Sequence, residues 1–425
     1  MARGAQGLAD LVVAVRAHRM SLFRLPRASH TVALASLVAF ATQVAFALLM
    51  LRLFTPEEVG EFSVLSQIGF FWMTLALAQA PLSLLANAHV PADVAARQAW
   101  RASVTRGAWL LPLAALALSF SQLSVWPALL WVLLLAVCQM AWMLAQALSL
   151  RVGSPWQQAA VRVLPPMTAA CTALGAALGG SAMGWSGPTL VVSAVLGYAV
   201  GAVWLIPAWR KTDAAHAVVD DAASAEATEQ PTQADTRSTT LRMAHTLVDA
   251  LLATAVVLVW QRLYGAQETG WMTALLRVLG FLPAVVHMAW AQVMLAKPQA
   301  SRASPLWLGL AAFACVGLLG LACATALHEQ WLDARWRGVW PYIAPLVLWQ
   351  GCACLSAAFS HRPFQTQSAG MYSWVCMGLA LAQGLVLLAP LVLDWPMSAS
   401  EHLSGFALVS GLGLLGVTGW MARLR

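Results

Sequence analysis

The fold of this chain follows from the stretch RLFTPEEVG at residues 52–60, because a second copy, RLYGAQETG, stands at residues 262–270. Arginine, leucine, an aromatic residue, glutamate and glycine recur at one offset of 210 residues. A second pair of motifs, Ser149-x-Arg151 and Ser360-x-Arg362, recurs at an offset of 211. Two matches at nearly the same offset indicate a duplicated unit.

The amino-acid composition of the chain indicates that the duplicated unit lies in a membrane. Of the 425 residues, 60% are hydrophobic and 10% are charged, with a mean hydropathy of +0.72. Soluble chains are about a quarter charged, so a water-soluble globular protein is excluded. Apolar windows of about 20 residues predict twelve helices at 31–54, 62–86, 108–124, 127–150, 158–180, 186–209, 242–264, 270–296, 305–327, 339–360, 370–393 and 403–422.

The basic residues predict the orientation of these helices. With both termini in the cytoplasm, 18 of the 24 Lys and Arg residues fall in inner segments, and two fall in outer loops. Such a bias is typical of cytoplasmic loops. We therefore interpret the net charge of +7 as an orientation signal and expect no nucleic-acid partner. Residues 1–29 are predicted to be a basic cytoplasmic segment.

One polar stretch divides the chain. Residues 210–241 hold six of the 17 acidic residues and no aromatic residue, which predicts a disordered acidic cytoplasmic linker, either a plain tether or a regulatory element. The fold class is therefore an all-α polytopic membrane protein with two six-helix bundles, 30–209 and 242–425. An even number of helices per repeat relates the bundles by a pseudo-twofold axis along the membrane normal.

The acidic pair after helix 1 has two interpretations. Adjacent acids in an outer loop resemble those of membrane glycosyltransferases, whereas Thr55-Pro56-Glu57-Glu58 has the pattern of a capping box with proline at the first helical position. The second interpretation is favoured because the loop is short. The seven cysteines lie in apolar runs without metal-ligand spacing. We predict no catalytic residue, no metal site and no cofactor.

Basic and polar side chains inside spans are the candidate substrate ligands, because such residues are costly in a bilayer and usually face the bundle interior. Arg277 is predicted about 10 Å below the outer face, with Gln67 at the corresponding position of the first repeat. An interhelical ion pair is the alternative for Arg277. Arg52 and Arg262 lie near outer helix ends, where they bind substrate or anchor the helices. Arg162 lies near the cytoplasmic face.

Asp249 is the acidic residue predicted to be buried in a span. Its counterpart in the first repeat is Ala39, and this asymmetry favours function over folding. His245 lies one turn earlier, and His287 lies at a similar depth in the next helix. These three residues form a candidate proton- or cation-coupling site. The alternative is a salt bridge from Asp249 to Arg162 or Arg277.

Three segments carry a family resemblance: 51–65 (LRLFTPEEVGEFSVL), 262–277 (RLYGAQETGWMTALLR) and 146–153 (QALSLRVG). They resemble the polysaccharide-export, O-antigen (Wzx-type) flippases of the multidrug/oligosaccharidyl-lipid/polysaccharide superfamily. The resemblance implies a bacterial inner-membrane protein with a cationic cavity between two bundles. It implies an undecaprenyl-diphosphate-linked oligosaccharide as substrate, with the diphosphate held by arginine. Membrane lipids and other glycan-assembly membrane proteins are the further implied partners.

Two other classes remain open. A drug or small-molecule exporter, of the same superfamily or of the major-facilitator type, has a similar helix plan, but residues 89–107 lack the G-x-x-x-D-R-x-G-R pattern of major facilitators. A membrane glycosyltransferase or polymerase is disfavoured, because the largest outer segments, 329–338 and 394–402, are short and contain no catalytic motif.

Overall fold

The structure is a computed structural model that describes residues 27–78, 80–86, 90–183, 188–206, 233–291, 294, 304–366 and 368–424. All regular secondary structure in these residues is helical. The predicted class, an all-α polytopic membrane protein, is confirmed.

Six helices form the first half of the chain. They are α1 (Arg27–Leu53), α2 (Pro56–Leu77, followed by Ala80–Ala86), α3 (Ala92–Trp109 and Leu111–Ser119), α4 (Val125–Val152), α5 (Pro155–Met183) and α6 (Thr189–Ala202, followed by the 3-10 turn Val203–Leu205). We call them the first lobe.

Six more helices form the second lobe. The helical stretch Gln233–Leu279 breaks at Gly265, and we number its two arms α7 (233–264) and α8 (266–279). The chain continues with Phe281–Val285 and a π-helical turn at Val286–Ala291. The remaining helices are α9 (Pro305–His328), α10 (Trp340–Phe359), α11 (Ala369–Val392) and α12 (Ala399–Arg423).

Eight of the described helices, or nine with the bent α3, are long and apolar enough to cross a membrane. This count treats α7 and α8 as one helix, and the apolar parts of α1 and α6 are shorter than the others. The twelve predicted helices therefore each have a counterpart among the described helices.

The start of α2 has the predicted cap. The Thr55 amide donates to Glu58 Oε2 at 2.8 Å, and the Glu58 amide donates to Thr55 Oγ1 at 3.2 Å. Pro56 occupies the first helical turn, where its missing N–H costs nothing. The Glu58 carboxylate thus has a structural role, as the capping-box interpretation predicts.

Three predicted boundaries are wrong. The basic segment before the predicted helix 108–124 is helical from residue 92, because a sequence rich in alanine and arginine favours helix. The bend of 46° between the two parts of α3 follows from Pro112, whose ring interrupts helical hydrogen bonding. The part of the predicted linker at 233–241 is helical, since extending an existing helix adds one hydrogen bond per residue. Residues 207–232 lie outside the described residues.

The third boundary concerns α7 and α8. A loop is predicted between 264 and 270, but the helices are joined by a break at one residue, Gly265, with φ 86° and ψ 179°. Positive φ is a conformation that glycine adopts without a steric penalty. Gly265 stands at the repeat position of Thr55, so both lobes turn at the same place in the duplicated unit.

Each lobe has its own core. One hydrophobic cluster is built mainly from buried side chains between residues 64 and 205, and the other mainly from those between 256 and 421. The lobes meet where α2 packs against α7 and α8. We call this contact the seam; beside it, the second cluster also includes Met50, Leu51, Phe54 and Val59 of the first lobe. Two cores that each lie mainly within one lobe are the arrangement expected of two bodies that can move relative to each other.

The repeated Ser-x-Arg motifs hold helix ends. Arg151 donates to the carbonyl oxygen of Leu84 at 3.0 Å, and Arg362 donates to that of Ala422 at 2.7 Å. Arginine near a helix C-terminus satisfies carbonyl groups that have no partner within the helix. The second repeat match is therefore explained by the fold.

Candidate functional site

Two glycines close the seam at the end that carries Thr55 and Gly265, which we call the outer end after the predicted topology. A Cβ atom on Gly60 would overlap the carbonyl oxygen of Ala266, and one on Gly270 would overlap that of Pro56. Gly60 and Gly270 are repeat positions, as are Pro56 and Ala266. The contact is therefore reciprocal, as expected of an interface about a twofold axis.

A hydrogen-bonded chain lies beside this contact. Ser63 Oγ donates to Thr273 Oγ1 at 2.9 Å, and these two residues are also 210 positions apart. Thr273 Oγ1 donates in turn to the carbonyl oxygen of Thr269 at 2.7 Å. Both hydroxyl groups are buried. The first polar link between the lobes is thus made by the same position of each repeat.

Arg277 ends this chain and points into the protein. Its Nη2 donates to Ser63 Oγ at 3.1 Å, and its Cζ atom lies 4.6 Å from the centre of the Phe62 ring. Among the described residues, Arg277 forms no ion pair with a carboxylate. Because α8 begins at residue 266, Arg277 lies about 16 Å along the helix from its first residue. A cation with only neutral partners at this depth is a strong potential ligand for an anion.

Three cavities run through the bundle. The first, of about 350 Å³, lies between α1, α2, α4, α5, α6 and α8. The middle cavity, of about 430 Å³, lies on the seam, and the third, of about 590 Å³, lies within the second lobe. Arg277 lines the first and middle cavities, and Asp249 lines the middle and third. The middle cavity therefore has one wall with a cation and one with an acid.

Gln67 lies in the middle cavity with Arg277, its repeat partner. Its Nε2 donates to Thr254 Oγ1 on α7 at 3.5 Å. The amide group thus bridges the lobes about one helical turn further from the outer end than Ser63 and Thr273 do. The structure brings Gln67, Arg277 and Asp249, which the sequence analysis assigned to two different candidate sites, to one cavity.

Asp249 pairs with His245. Asp249 Oδ2 lies 3.1 Å from His245 Nε2, and its side chain is 58% exposed, so the carboxylate faces open space. The ion pair that the structure describes for Asp249 is therefore with the histidine one turn earlier, and not one of the alternatives with Arg162 or Arg277. His287 lines the third cavity with both residues, and its Nδ1 is hydrogen-bonded to Ser360 Oγ at 3.1 Å.

The other three candidate arginines do not line the three cavities. Arg52 is exposed and donates to the carbonyl oxygen of Trp331 at 3.3 Å. Arg262 is exposed at the end of α7. Arg162 is half-buried in α5. The structure thus does not bring these three residues together with Arg277. The long side chains of Arg52 and Arg262, near helix ends, reach the surface.

Four residues of the site were not among the sequence candidates: Ser63, Thr273, Trp142 and Tyr198. Ser63 and Thr273 had a signal, since both are hydroxyl residues at the repeat offset. The two aromatic residues had none, because aromatic residues are common throughout the apolar runs. Only the packing of α4 against α6 places them in the wall of the first cavity.

Comparison with solved structures shows what this arrangement is similar to. A structure of the "Lipid II flippase MurJ, inward closed conformation" matches with a TM-score of 0.62 at 9% identity, covering 93% of this chain and 88% of that chain. An inward-facing multidrug resistance MATE family transporter of the MOP superfamily matches with a TM-score of 0.39 at 11% identity, covering 91% of this chain and 93% of that chain.

No protein-family model matches the sequence, and no curated protein matches it. The likeness to the flippase structure extends over nearly the whole of both chains. At 9% identity it shows the fold alone. The two-lobe arrangement of helices is therefore a fold that a lipid flippase also has.

Proposed function

We propose that this protein is a flippase that moves an undecaprenyl-diphosphate-linked oligosaccharide across the bacterial inner membrane by alternating access. The observation that carries the proposal is Arg277, which lines two adjacent cavities and has no carboxylate partner among the described residues. The fold shared with a lipid II flippase supports the same reading.

The chemistry of Arg277 favours a phosphate-type ligand. Burying a guanidinium group in a bilayer costs about 2.5–3.5 kcal/mol on insertion scales, and neutral hydroxyl and aromatic partners offset part of this cost. A diphosphate would offset the rest of this burial cost, because two N–H groups of a guanidinium can donate to two phosphate oxygens. The lipid tail needs no protein site, since it stays in a bilayer that is as apolar as the protein interior.

The contact at Gly60 and Gly270 indicates from which side of the membrane the substrate would enter the cavities. With α2 and α8 in contact at the outer end, the cavities would load from the cytoplasmic side, and outward release would require Gly60 and Gly270 to separate. An anion at Arg277 would compete with Ser63 for the guanidinium. Ligand binding would then weaken the hydrogen bonds that join Arg277, Ser63 and Thr273 across the seam, and this would favour separation of the lobes.

The remaining topology is part of the proposal. Both termini would lie in the cytoplasm, with the basic segment 1–29 ahead of the first bundle, 30–209, and the acidic linker ahead of the second bundle. The substrate is the lipid-linked glycan itself, so other glycan-assembly membrane proteins would supply and consume it.

Deletion in the native host tests the proposed function. Loss of the flippase should cause undecaprenyl-diphosphate oligosaccharide to accumulate on the cytoplasmic face, as measured by extraction of lipid-linked intermediates. A normal pool of intermediates together with altered resistance to small organic cations would contradict the proposal and support a drug exporter.

The second candidate function, a cation-coupled exporter, has one observation in its favour. The Asp249 carboxylate is open to the cavities and paired with a titratable histidine. Such a pair can bind and release a proton during transport. The same pair would equally couple a flippase to a proton or cation gradient. It therefore indicates an energy source for transport but does not favour one substrate over the other.

Asp249→Asn tests this coupling. We expect the variant to lose the dependence of transport on the proton gradient, because the amide cannot exchange a proton. The measurement is transport in vesicles over a series of imposed pH differences, with Asp394→Asn, an exposed acid outside the cavities, as the matched control. A variant that responds to the gradient as the unmodified protein does would rule out coupling through Asp249.

A further inference from the structure

The first cavity has a wall of aromatic side chains next to Arg277. Its lining includes Phe46, Phe62, Trp142, Tyr198 and Phe281. The rings of Trp142 and Tyr198 pack at 5.1 Å between centres with an angle of 32° between their planes. An apolar, aromatic wall with a few polar groups is the usual composition of a small-molecule site.

This aromatic pair is held in a fixed position. Trp142 Nε1 donates to the carbonyl oxygen of Val161 at 2.7 Å, which fixes the indole. Gly201 packs directly against the indole, and Gly197 packs against the carbonyl oxygen of Pro165, where a Cβ atom would lie at 2.6 Å. The two glycines let α6 lie close to α4 and α5. The pair is thus a rigid surface before any ligand binds.

Polar groups surround the surface of the pair. Gln43 and Ser66 line the same cavity. Within the described part of the chain, the Tyr198 hydroxyl makes no side-chain hydrogen bond that competes with a ligand, and its neighbours include the charge of Arg277. The cavity therefore offers a flat apolar face with hydroxyl and amide groups at its edge.

We infer that the first cavity is a carbohydrate subsite, in which Tyr198 and Trp142 hold the sugar that is joined directly to the anionic group at Arg277. The inference rests on the proposed function and adds to it the part of the substrate that is recognised. A pyranose ring has one face of C–H groups and an edge of hydroxyl groups, which matches an aromatic surface with a polar edge.

The size and position of the cavity support a sugar over the lipid tail. At about 350 Å³ it is near the lower limit of small-molecule sites, roughly 300 Å³, so it suits one sugar ring better than a long polyprenyl chain. A tail would gain little by leaving the lipid, which is equally apolar. The distal sugars would extend into the middle cavity, which carries Gln67 and Gln383.

Binding of short-chain probes tests the inference. The probes are farnesyl diphosphate and its esters with glucose, galactose and N-acetylglucosamine, titrated into the purified full-length protein in nanodiscs. We expect at least one sugar ester to bind about tenfold more tightly than farnesyl diphosphate. Tyr198→Leu should bring this ratio to about one without changing the affinity for farnesyl diphosphate, whereas Tyr198→Phe should retain most of it.

The control is Trp126→Leu, which removes a largely exposed aromatic residue outside the cavities; its ratio should stay at the unmodified value. Equal binding of all four probes by the unmodified protein would overturn the carbohydrate subsite even if no variant can be purified. A Tyr198→Leu variant that retains the sugar preference would overturn it as well. Failure to bind any diphosphate probe would instead contradict the proposed function.

Discussion

Gly270→Val is expected to abolish transport, because the outer ends of α2 and α8 can no longer meet. A Cβ atom at residue 270 would lie inside the carbonyl group of Pro56, which is backbone and cannot rotate away. Overpacking of this kind costs about 1–3 kcal/mol, occasionally more, which disfavours the closed seam about 5- to 150-fold. The measurement is transport of the lipid-linked glycan in vesicles.

The duplication provides the matching experiment. Gly60→Val should have the same effect, because its Cβ atom would meet Ala266 in the mirrored contact. Gly405→Val, on α12, is the control: no other group lies within 4 Å of a Cβ atom there, so transport should be retained. An accessibility assay on Ser63→Cys should show faster labelling from the outer side in the Gly270→Val background. Normal transport by both seam variants would contradict the role of the contact.

The second large effect is expected at Arg277. Arg277→Gln removes the only described cation that lines the first and middle cavities and leaves a neutral polar side chain in its place. Hydrogen bonds to charged groups contribute about 1.5–3 kcal/mol, so the affinity for a diphosphate probe should fall about 10- to 150-fold. Export of the glycan should be lost with it.

Two further variants separate charge from geometry. Arg277→Lys keeps the charge but loses the paired N–H groups, so its affinity should lie between those of the unmodified protein and Arg277→Gln. Arg337→Gln removes an exposed arginine near the outer end, outside the three cavities, and should leave binding unchanged. Normal glycan export by the Arg277→Gln variant would contradict the assignment of Arg277 as the ligand of the diphosphate.

The repeat predicted most of the fold because some of its matching residues are required by the same backbone contact in both lobes, in addition to being inherited from one duplicated unit. Gly60 and Gly270 recur since both face a helix backbone across the seam, where only glycine fits. Glutamate recurs at 58 and 268, but its partners differ: Glu58 completes a helix cap, whereas Glu268 accepts a hydrogen bond from Tyr342. A sequence motif thus identified the repeat position without identifying the contact.

The site was predicted only in part. Polarity within apolar runs identified Arg277, Gln67 and Asp249, because a polar residue in such a run is costly and therefore informative. Asp249 was expected to be buried, but its side chain is exposed to the cavities. The same criterion included Arg52 and Arg262, since hydropathy does not show whether a long side chain near a helix end points inward or to the surface.

Other features depended on tertiary packing. The pairing of Asp249 with His245 follows from their spacing of four residues on one helix, whereas the cavities that Asp249 faces depend on how α7 is rotated in the bundle. The aromatic pair in the first cavity depends on how closely α6 approaches α4, which Gly197 and Gly201 permit. Such rotations and distances between helices are set by contacts that hydropathy does not report.

Reconstitution tests the central claim most directly. The purified protein is placed in vesicles with a fluorescent lipid-linked glycan from the native host, and a membrane-impermeant reductant reports how much label has reached the outer leaflet. We predict that the unmodified protein equilibrates the glycan between leaflets, while Arg277→Gln vesicles behave as protein-free vesicles do. Glycan movement no faster than in protein-free vesicles, together with export of small organic cations, would contradict the account.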